Sequence, residues 1–346
     1  MSTVVQKHFE KFHDCIRLND TEDNSQLREK RDLLLDEIRE YFWKKSERDQ
    51  KPMISFSARD QGSYAMGTGV KPLDGADYDI DEALLFQISK NDYDPVTTKR
   101  WVFEALDKYP RTVQYKKPCV RVQYHREGEV AYHVDFACYA DANLDGNSYL
   151  SKGKPNSLSS DKIWEVASPM ELKNLINNKF EGEDKAQFKR IIRYLKRWKD
   201  SKIRNTENGK PTGIAITSLA YKGFSPVIEK DSFSGKIIKK DLEALIKLIK
   251  YIIGQFDFND KITTYLPVPP HNDLFEKMKK SGNLTKKFKD RLIELEDALV
   301  TAQNESDPVE ACKLLKKQFG DDFEVPDKSS TGQKGRAAVV GSAEYA

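Results

Sequence analysis

Ala76-Asp77-Tyr78-Asp79-Ile80-Asp81-Glu82-Ala83-Leu84-Leu85-Phe86 is the stretch that decides how this chain is read. Successive side chains on a strand point to opposite faces, and next-but-one neighbours stand roughly 6.5–7 Å apart along one face. Tyr78 and Ile80 then face one way, and Asp79 and Asp81 the other. Two carboxylates side by side repel unless a cation lies between them. Asp77 falls on the same face, so Asp77/Asp79 is an alternative pair. Asp79/Asp81 is preferred because each follows an apolar residue and the run continues into the apolar Ala83-Leu84-Leu85-Phe86. Mg²⁺ takes oxygen ligands at about 2.0–2.1 Å and shares its shell with substrate phosphates. A two-metal site places its ions about 3.5–4 Å apart, a spacing that a D-x-D pair on one strand can serve.

Upstream, Ile54-Ser55-Phe56 reads as a short strand, and Gln61-Gly62-Ser63-Tyr64-Ala65-Met66-Gly67-Thr68-Gly69 as a turn entering a short helix. Backbone N–H groups at such a turn bind anions, and glycine lets the backbone approach a phosphate closely. The Ser63 hydroxyl adds a donor sixteen residues before Asp79. Downstream, Cys119–Tyr124 and Val130–Phe136 alternate around His125–Glu129 as a hairpin. Val134 and Phe136 face the core, leaving Asp135 on the other face with His133, which is read as a rim histidine. As a metal ligand Asp135 is also placed to take the proton from an attacking ribose hydroxyl. A phosphate-gripping turn and three acids at this spacing point to metal-dependent nucleotidyl transfer from nucleoside triphosphates.

The rest of the chain bounds this reading. The 346 residues suffice for two modest domains, and 38% apolar with 10% aromatic residues fits a globular protein. No run approaches the ~20 apolar residues of a membrane span and the N-terminus lacks a signal-peptide core, so a cytoplasmic protein is expected. The 58 basic and 55 acidic residues leave a net charge of only +3, which argues against extended nucleic-acid binding. Cys15, Cys119, Cys138 and Cys312 show no metal or disulfide spacing, and the five histidines form no ligand pattern.

Asn24–Lys45 reads as one long helix capped by Asn24 or Ser25, strands and short helices fill 54–140, and Asn143–Ser160 reads as a loop. From Ser168-Pro169 onward the pattern is helical, with apolar stripes at 242–253 and 292–299. On the helix 188–199, Phe188, Ile191, Ile192, Leu195 and Trp198 form the buried face, with Arg190, Arg193, Lys196, Arg197 and Lys199 outside it. The expected layout is α+β: residues 1–165 as an N-terminal helix and catalytic core, 166–326 as a helical domain, and 327–346 as a disordered polar tail. The active site then lies in the cleft between core and helices.

Gly62-Ser63, Thr68, Asp79-Ile80-Asp81 and Val134-Asp135 resemble the polymerase-β-like nucleotidyltransferases. Gln61-Gly62-Ser63-Tyr64 with Gly67-Thr68, the helix 188–199 and Phe319-Gly320-Asp321-Asp322-Phe323 narrow the resemblance to the bacterial cGAS/DncV-like nucleotidyltransferases of anti-phage (CBASS) signalling. This resemblance implies catalytic, metal-holding Asp79, Asp81 and Asp135 with two Mg²⁺ (or Mn²⁺) ions. It implies a triphosphate held by Gln61, Gly62, Ser63, Lys196 and Ser218, with Arg193 or Thr217 as alternatives to the last two. ATP and/or GTP are the implied substrates and a cyclic di- or trinucleotide the product. Leu219 stands where animal cGAS has a base-stacking tyrosine, which leaves base choice open. The small-residue terminus resembles tails joined to targets through Ala346 by a ubiquitin-transfer-like E1/E2 partner. Two rival readings are a nucleotidyltransferase that modifies RNA or protein, and a non-catalytic nucleotide-binding scaffold on the same fold.

Overall fold

The computed structural model describes residues 5–18, 22–73, 78–126, 129–203 and 209–328. Asp77, the tip of the 125–129 turn and the tail from Ser329 to Ala346 lie outside the described residues, and with them the alternative Asp77/Asp79 pair and the conjugation site expected at Ala346.

Nine strands and eleven α-helices are described, numbered in chain order. Seven strands make one mixed sheet. β1 (Phe56–Asp60) pairs antiparallel with β2 (Tyr78–Phe86), which runs parallel to β5 (Glu129–Ala140). β4 (Val120–Arg126) and β3 (Thr112–Tyr115) continue the sheet antiparallel on the far side of β5. The loop expected over Asn143–Ser160 contains a further strand. β6 (Tyr149–Lys152) adds to the end of β5 through Tyr139 and Ala140, and β7 (Ile163–Val166) pairs with β6. A four-residue strand inside a Gly/Pro/Ser-rich segment carries almost no periodic signal; the free end of β5 supplies the partner that makes it a strand.

The two sheet faces differ because the strands alternate. On one, Ile80, Leu84, Phe86, Val122, Val134 and Phe136 bury against α2 (Glu22–Asp49) and α4 (Pro95–Leu106). Leu34, Ile38 and Phe42 supply the α2 side; Trp101, Val102 and Leu106 supply the α4 side. Asp94 caps α4 by accepting from Val96 N, with Pro95 at the first helical position, where a missing N–H costs nothing. The other face carries the acids and then, one rung along, a small apolar patch of Ala83, Leu85, Ala137 and Tyr139.

That second face looks onto a helical layer of α5 (Pro169–Asn177), α6 (Gly182–Lys202), α7 (Gly213–Gly223), a small hairpin β8/β9 (Ile228–Lys230, Ile237–Lys239), α8 (Asp241–Ile253), α9 (Glu276–Lys279), α10 (Leu284–Asn304) and α11 (Pro308–Phe319). Leu195, Trp198, Leu245, Ile249, Phe288 and Leu292 lie at its centre. An N-terminal helix that the sequence reading passed over, α1 (Gln6–Ile16), joins this layer rather than the sheet. Its Phe9 and Phe12 pack at 5.1–6.0 Å against Phe319 and Phe323, and Tyr194 donates to Phe9 O at 2.9 Å. Among the described residues no helix is long and apolar enough to cross a membrane.

Candidate functional site

Parallel pairing of β2 with β5 sets Asp79 opposite His133 and Asp81 opposite Asp135, while β4 sets Arg121 against Asp135 from the other side. Five charged or titratable side chains thus share one sheet face. His133 Nε2 lies 3.0 Å from Asp79 Oδ1. Arg121 donates to both Asp135 oxygens, each at 2.7 Å, which fixes the plane of that carboxylate. One ligand atom from each of Asp79, His133 and Asp135 lies within 4.8 Å of the others. The histidine read as a rim residue is therefore buried and part of the acidic group. It sits there because strand alternation puts residues 133 and 135 on one face.

Asp81 is turned toward the Gly62 backbone. A Cβ at position 62 would lie 1.9 Å from Asp81 Oδ2, and Gly62 holds φ +67°, so only glycine fits. Burial, and then Asp79 and Asp135, push the Asp81 carboxyl up to about 7. The shift follows from desolvation of a carboxyl crowded by two like charges.

The turn after β1 forms the short α3 (Gly62–Ala65). Tyr139 OH donates to Gln61 Oε1 at 3.0 Å, and Gln61 N donates to Asp81 O at 3.0 Å. Beyond α3, residues 67–71 form no regular strand or helix; Gly69 O accepts from Leu18 N at 3.3 Å, and α6 supplies further donors to this segment. Arg193 donates to Gly67 O (2.7 Å) and Gly69 O (3.1 Å). Lys196 reaches Thr68 O (3.0 Å) and Oγ1 (3.1 Å), and Arg197 reaches Lys71 O (3.0 Å). The basic face of α6, which the sequence reading left outside the buried face, is thus not solvated. Lys196 and Arg197 are buried where the carbonyls of this irregular segment need donors, whereas Arg190 is buried against Asp241 and Lys199 pairs with Asp200 at 2.8 Å. Burial, Lys199 and Arg193 push the Lys196 ammonium down to about 7.

Two cavities open on this face. One, of about 530 Å³, is lined by Gln61, Gly62, Asp81 and residues of β6, β7 and the 266–274 segment. The other, of about 750 Å³, is lined by Tyr78, Arg121, His133 and Lys199. Ser63, Asp79, Lys196, Thr212 and Gly213 line both. Gln61, Gly62, Ser63, Asp79, Asp81 and Lys196 therefore come together, with Asp135 beside them on β5. Ser218 does not join them: it is fully buried in α7 and lines neither cavity, and its neighbour Thr217 donates to Gly213 O at 2.9 Å. Leu219 is fully buried as well. The α7 residue at the cleft is Thr212, the N-cap, which accepts from Ala215 N at 3.3 Å. Pro211-Thr212-Gly213 ahead of an apolar run is a helix-start signal that could have located it.

Residues 57–139 match the family model of the nucleotidyltransferase domain of cyclic GMP-AMP synthase DncV-like proteins. Residues 57–139 are thus similar to a DncV-like nucleotidyltransferase domain. A cyclic GMP-AMP synthase of Escherichia albertii is 26% identical over 199 residues, covering 54% of this chain and 42% of that protein. A c-di-GMP synthase of Roseivirga ehrenbergii is 26% identical over 212 residues, covering 54% of each. The chain thus aligns with about half the length of the curated relatives it matches. The fold of the chain is similar to that of Vibrio cholerae DncV cyclic AMP-GMP synthase, with a TM-score of 0.71, 16% identity, and coverage of 93% of this chain and 96% of that one. The same protein in complex with the linear intermediate 5′ pppA(3′,5′)pG gives a TM-score of 0.72 at 15% identity. The matched segment runs from β1 to the end of β5 and so contains the turn and all three acids.

Proposed function

We propose that this nucleotidyltransferase joins two nucleoside triphosphates, ATP and/or GTP, into a cyclic dinucleotide. The observation that carries the proposal is the position of Asp79, which lines both cavities at their junction. Each cavity falls in the ~300–1,000 Å³ range of small-molecule sites. The cavity at Gln61–Ser63 suits the donor, whose triphosphate meets the turn, the Ser63 hydroxyl, Lys196 and the α7 N-terminus. The cavity at Arg121 and His133 suits the acceptor, because Asp135 stands behind it as the base for a ribose hydroxyl.

The donor set fits divalent cations, since a raised Asp81 carboxyl and a group of ligand atoms within 4.8 Å both favour added positive charge. Two Mg²⁺ ions, when bound, would neutralise the α-phosphate and make the acceptor hydroxyl a better nucleophile. Asp79, Asp81 and Asp135 would hold them, and His133 lies within the same group as Asp79 and Asp135. Asp135 must exchange its pairing with Arg121 for that role, and Arg121 is then free to meet acceptor phosphate. Attack on the donor α-phosphorus breaks its bond to the bridging oxygen, and pyrophosphate leaves along Lys196. Turning the linear intermediate round between the cavities closes the ring.

The anti-phage setting, the cytoplasmic location and a transfer-enzyme partner acting at Ala346 belong to the same proposal, on the strength of the family resemblance. The test is incubation with labelled ATP and GTP plus Mg²⁺, followed by phosphatase and chromatography. A phosphatase-resistant product that is lost in Asp79→Ala supports the proposal; a product attached to RNA or protein, or intact triphosphates under every condition, removes it.

A further inference from the structure

The donor cavity has a polar end and an apolar end. Gln61, Gly62, Asp81 and Lys196 stand at the first; Leu150, Leu266, Val268, Pro269 and Leu274 line the second. A triphosphate on the polar end leaves its base for the apolar end. Polar side chains also line this cavity, among them Lys152, Glu165 and Asn272 beside Ser168 and Lys173.

Their placement follows from the sheet. Leu150 on β6 is the register partner of Glu165 on β7, so Leu150, Lys152 and Glu165 share the face that meets the cavity. Ser151 and Trp164 point the other way, where Ser151 is fully buried and donates to Pro95 O, and Trp164 Nε1 donates to Tyr93 O at 2.9 Å. Lys152 Nζ pairs with Glu165, and both side chains are about four-fifths covered. Asn272 approaches from the helical side, with Nδ2 3.5 Å from Glu165 Oε1. The carboxylate is thus approached from two sides at the wall of the cavity.

We propose that this Lys152–Glu165–Asn272 cluster reads the edge of the donor base and selects guanine, a reading that rests on the donor role given to this cavity above. Guanine presents N1–H and N2–H₂ as adjacent donors beside the O6 acceptor, while adenine presents an acceptor at N1 beside the N6 donor. A carboxylate takes the two guanine donors in a bidentate contact, and the ammonium beside it meets O6. Adenine in the same orientation sets its N1 lone pair against the carboxylate and its amino group against the ammonium. A site built to hydrogen-bond one ligand rejects an analogue that leaves its polar groups unpaired. One good bidentate contact corresponds to roughly 1–3 kcal/mol of discrimination, or about 5- to 150-fold.

The test is calorimetric binding of three probes with Mg²⁺ to the full chain: the α,β-methylene analogue of GTP, that of ATP, and inorganic tripolyphosphate. Wild type is expected to bind the guanine analogue at least tenfold more tightly than the adenine analogue. Glu165→Gln should lose that preference by weakening guanine binding about tenfold, while its tripolyphosphate affinity stays within twofold and reports an intact phosphate end. Equal affinity of wild type for the two analogues, or a Glu165→Gln loss shared equally by all three probes, overturns the guanine assignment and leaves the nucleotidyltransferase proposal standing. Failure of wild type to bind any of the three probes overturns both.

Discussion

The acidic face of β2 and β5 and the basic face of α6 meet across one cleft, and they handle charge in opposite ways. On the strands, Asp79, Asp81 and Asp135 crowd together, and His133 beside Asp79 and Arg121 on Asp135 offset only part of that negative charge. On the helix, each cation already has a partner within the protein. Arg190 pairs with the fully buried Asp241 (2.7 Å), and Arg193, Lys196 and Arg197 hold carbonyls of residues 67–71. The first arrangement is unfavourable for folding and useful for binding. The second is a clamp that keeps the phosphate turn in place. Lys196 belongs to both, because it supports Thr68 and also lines the two cavities.

The contrast predicts opposite consequences for removing charge on the two sides. Asp79→Ala/Asp81→Ala should reduce product formation at least ~10³-fold, the scale of several kcal/mol of lost transition-state stabilisation. Its melting temperature should hold or rise, because like-charge crowding is relieved; a clear fall would mean that the acids support the fold. Gly62→Ala, which forces a Cβ toward Asp81 Oδ2, should cost roughly 10²-fold in activity, since a misplacement of about 1 Å in a catalytic group has that effect. Arg193→Ala should behave as a structural change. Losing charged hydrogen bonds to the Gly67 and Gly69 carbonyls should destabilise the protein by about 2–3 kcal/mol in urea unfolding. Lys196→Met should destabilise the protein by about 1–2 kcal/mol, because the buried Thr68 carbonyl loses its donor while the ammonium removed is itself disfavoured by burial, and should weaken Mg²⁺–triphosphate binding about tenfold.

The smallest effect concerns His13, whose Nε2 lies 3.0 Å from Arg193 Nη1. Burial, Arg193, Arg190 and Arg17 push it down to about 4, against Asp14, which acts the other way. Below its ordinary value of 6.5 the unfolded chain takes up a proton that the folded protein refuses. Stability is therefore lost as pH falls from 6.5 toward 4, by about 1 kcal/mol over the first unit. His13→Gln should flatten the dependence of melting temperature on pH in that window; an unchanged slope would assign the acid sensitivity to other groups.

Sequence made the strand side of this contrast legible and hid much of the helix side. Alternation alone sorts Ile80 from Asp81 and Val134 from Asp135, because a strand has only two faces and one of them is apolar. The Gly-Ser turn could be placed because its spacing to Asp79 left little freedom. The α6 cations gave no such signal. A lysine or arginine outside an apolar stripe reads as solvated, and only the tertiary position of the 67–71 carbonyls makes it buried. His133 was on the right face, but burial depends on Tyr78, Arg121 and the cleft beyond. Thr212 was missed in favour of Ser218 because resemblance pointed into α7, whereas the helix meets the cleft at its first residue. The strand β6 stayed hidden inside a loop-like composition, and with it the Lys152–Glu165 pair.

The central claim is that these acids transfer a nucleotidyl group and close a ring. Counting the pyrophosphate released per nucleotide consumed, with Mg²⁺ and labelled ATP and GTP, tests it most directly. The account predicts one pyrophosphate per nucleotide, no free inorganic phosphate, and no triphosphate end left on the product. Release of γ-phosphate, or one pyrophosphate per two nucleotides with a 5′-triphosphate retained, would contradict it.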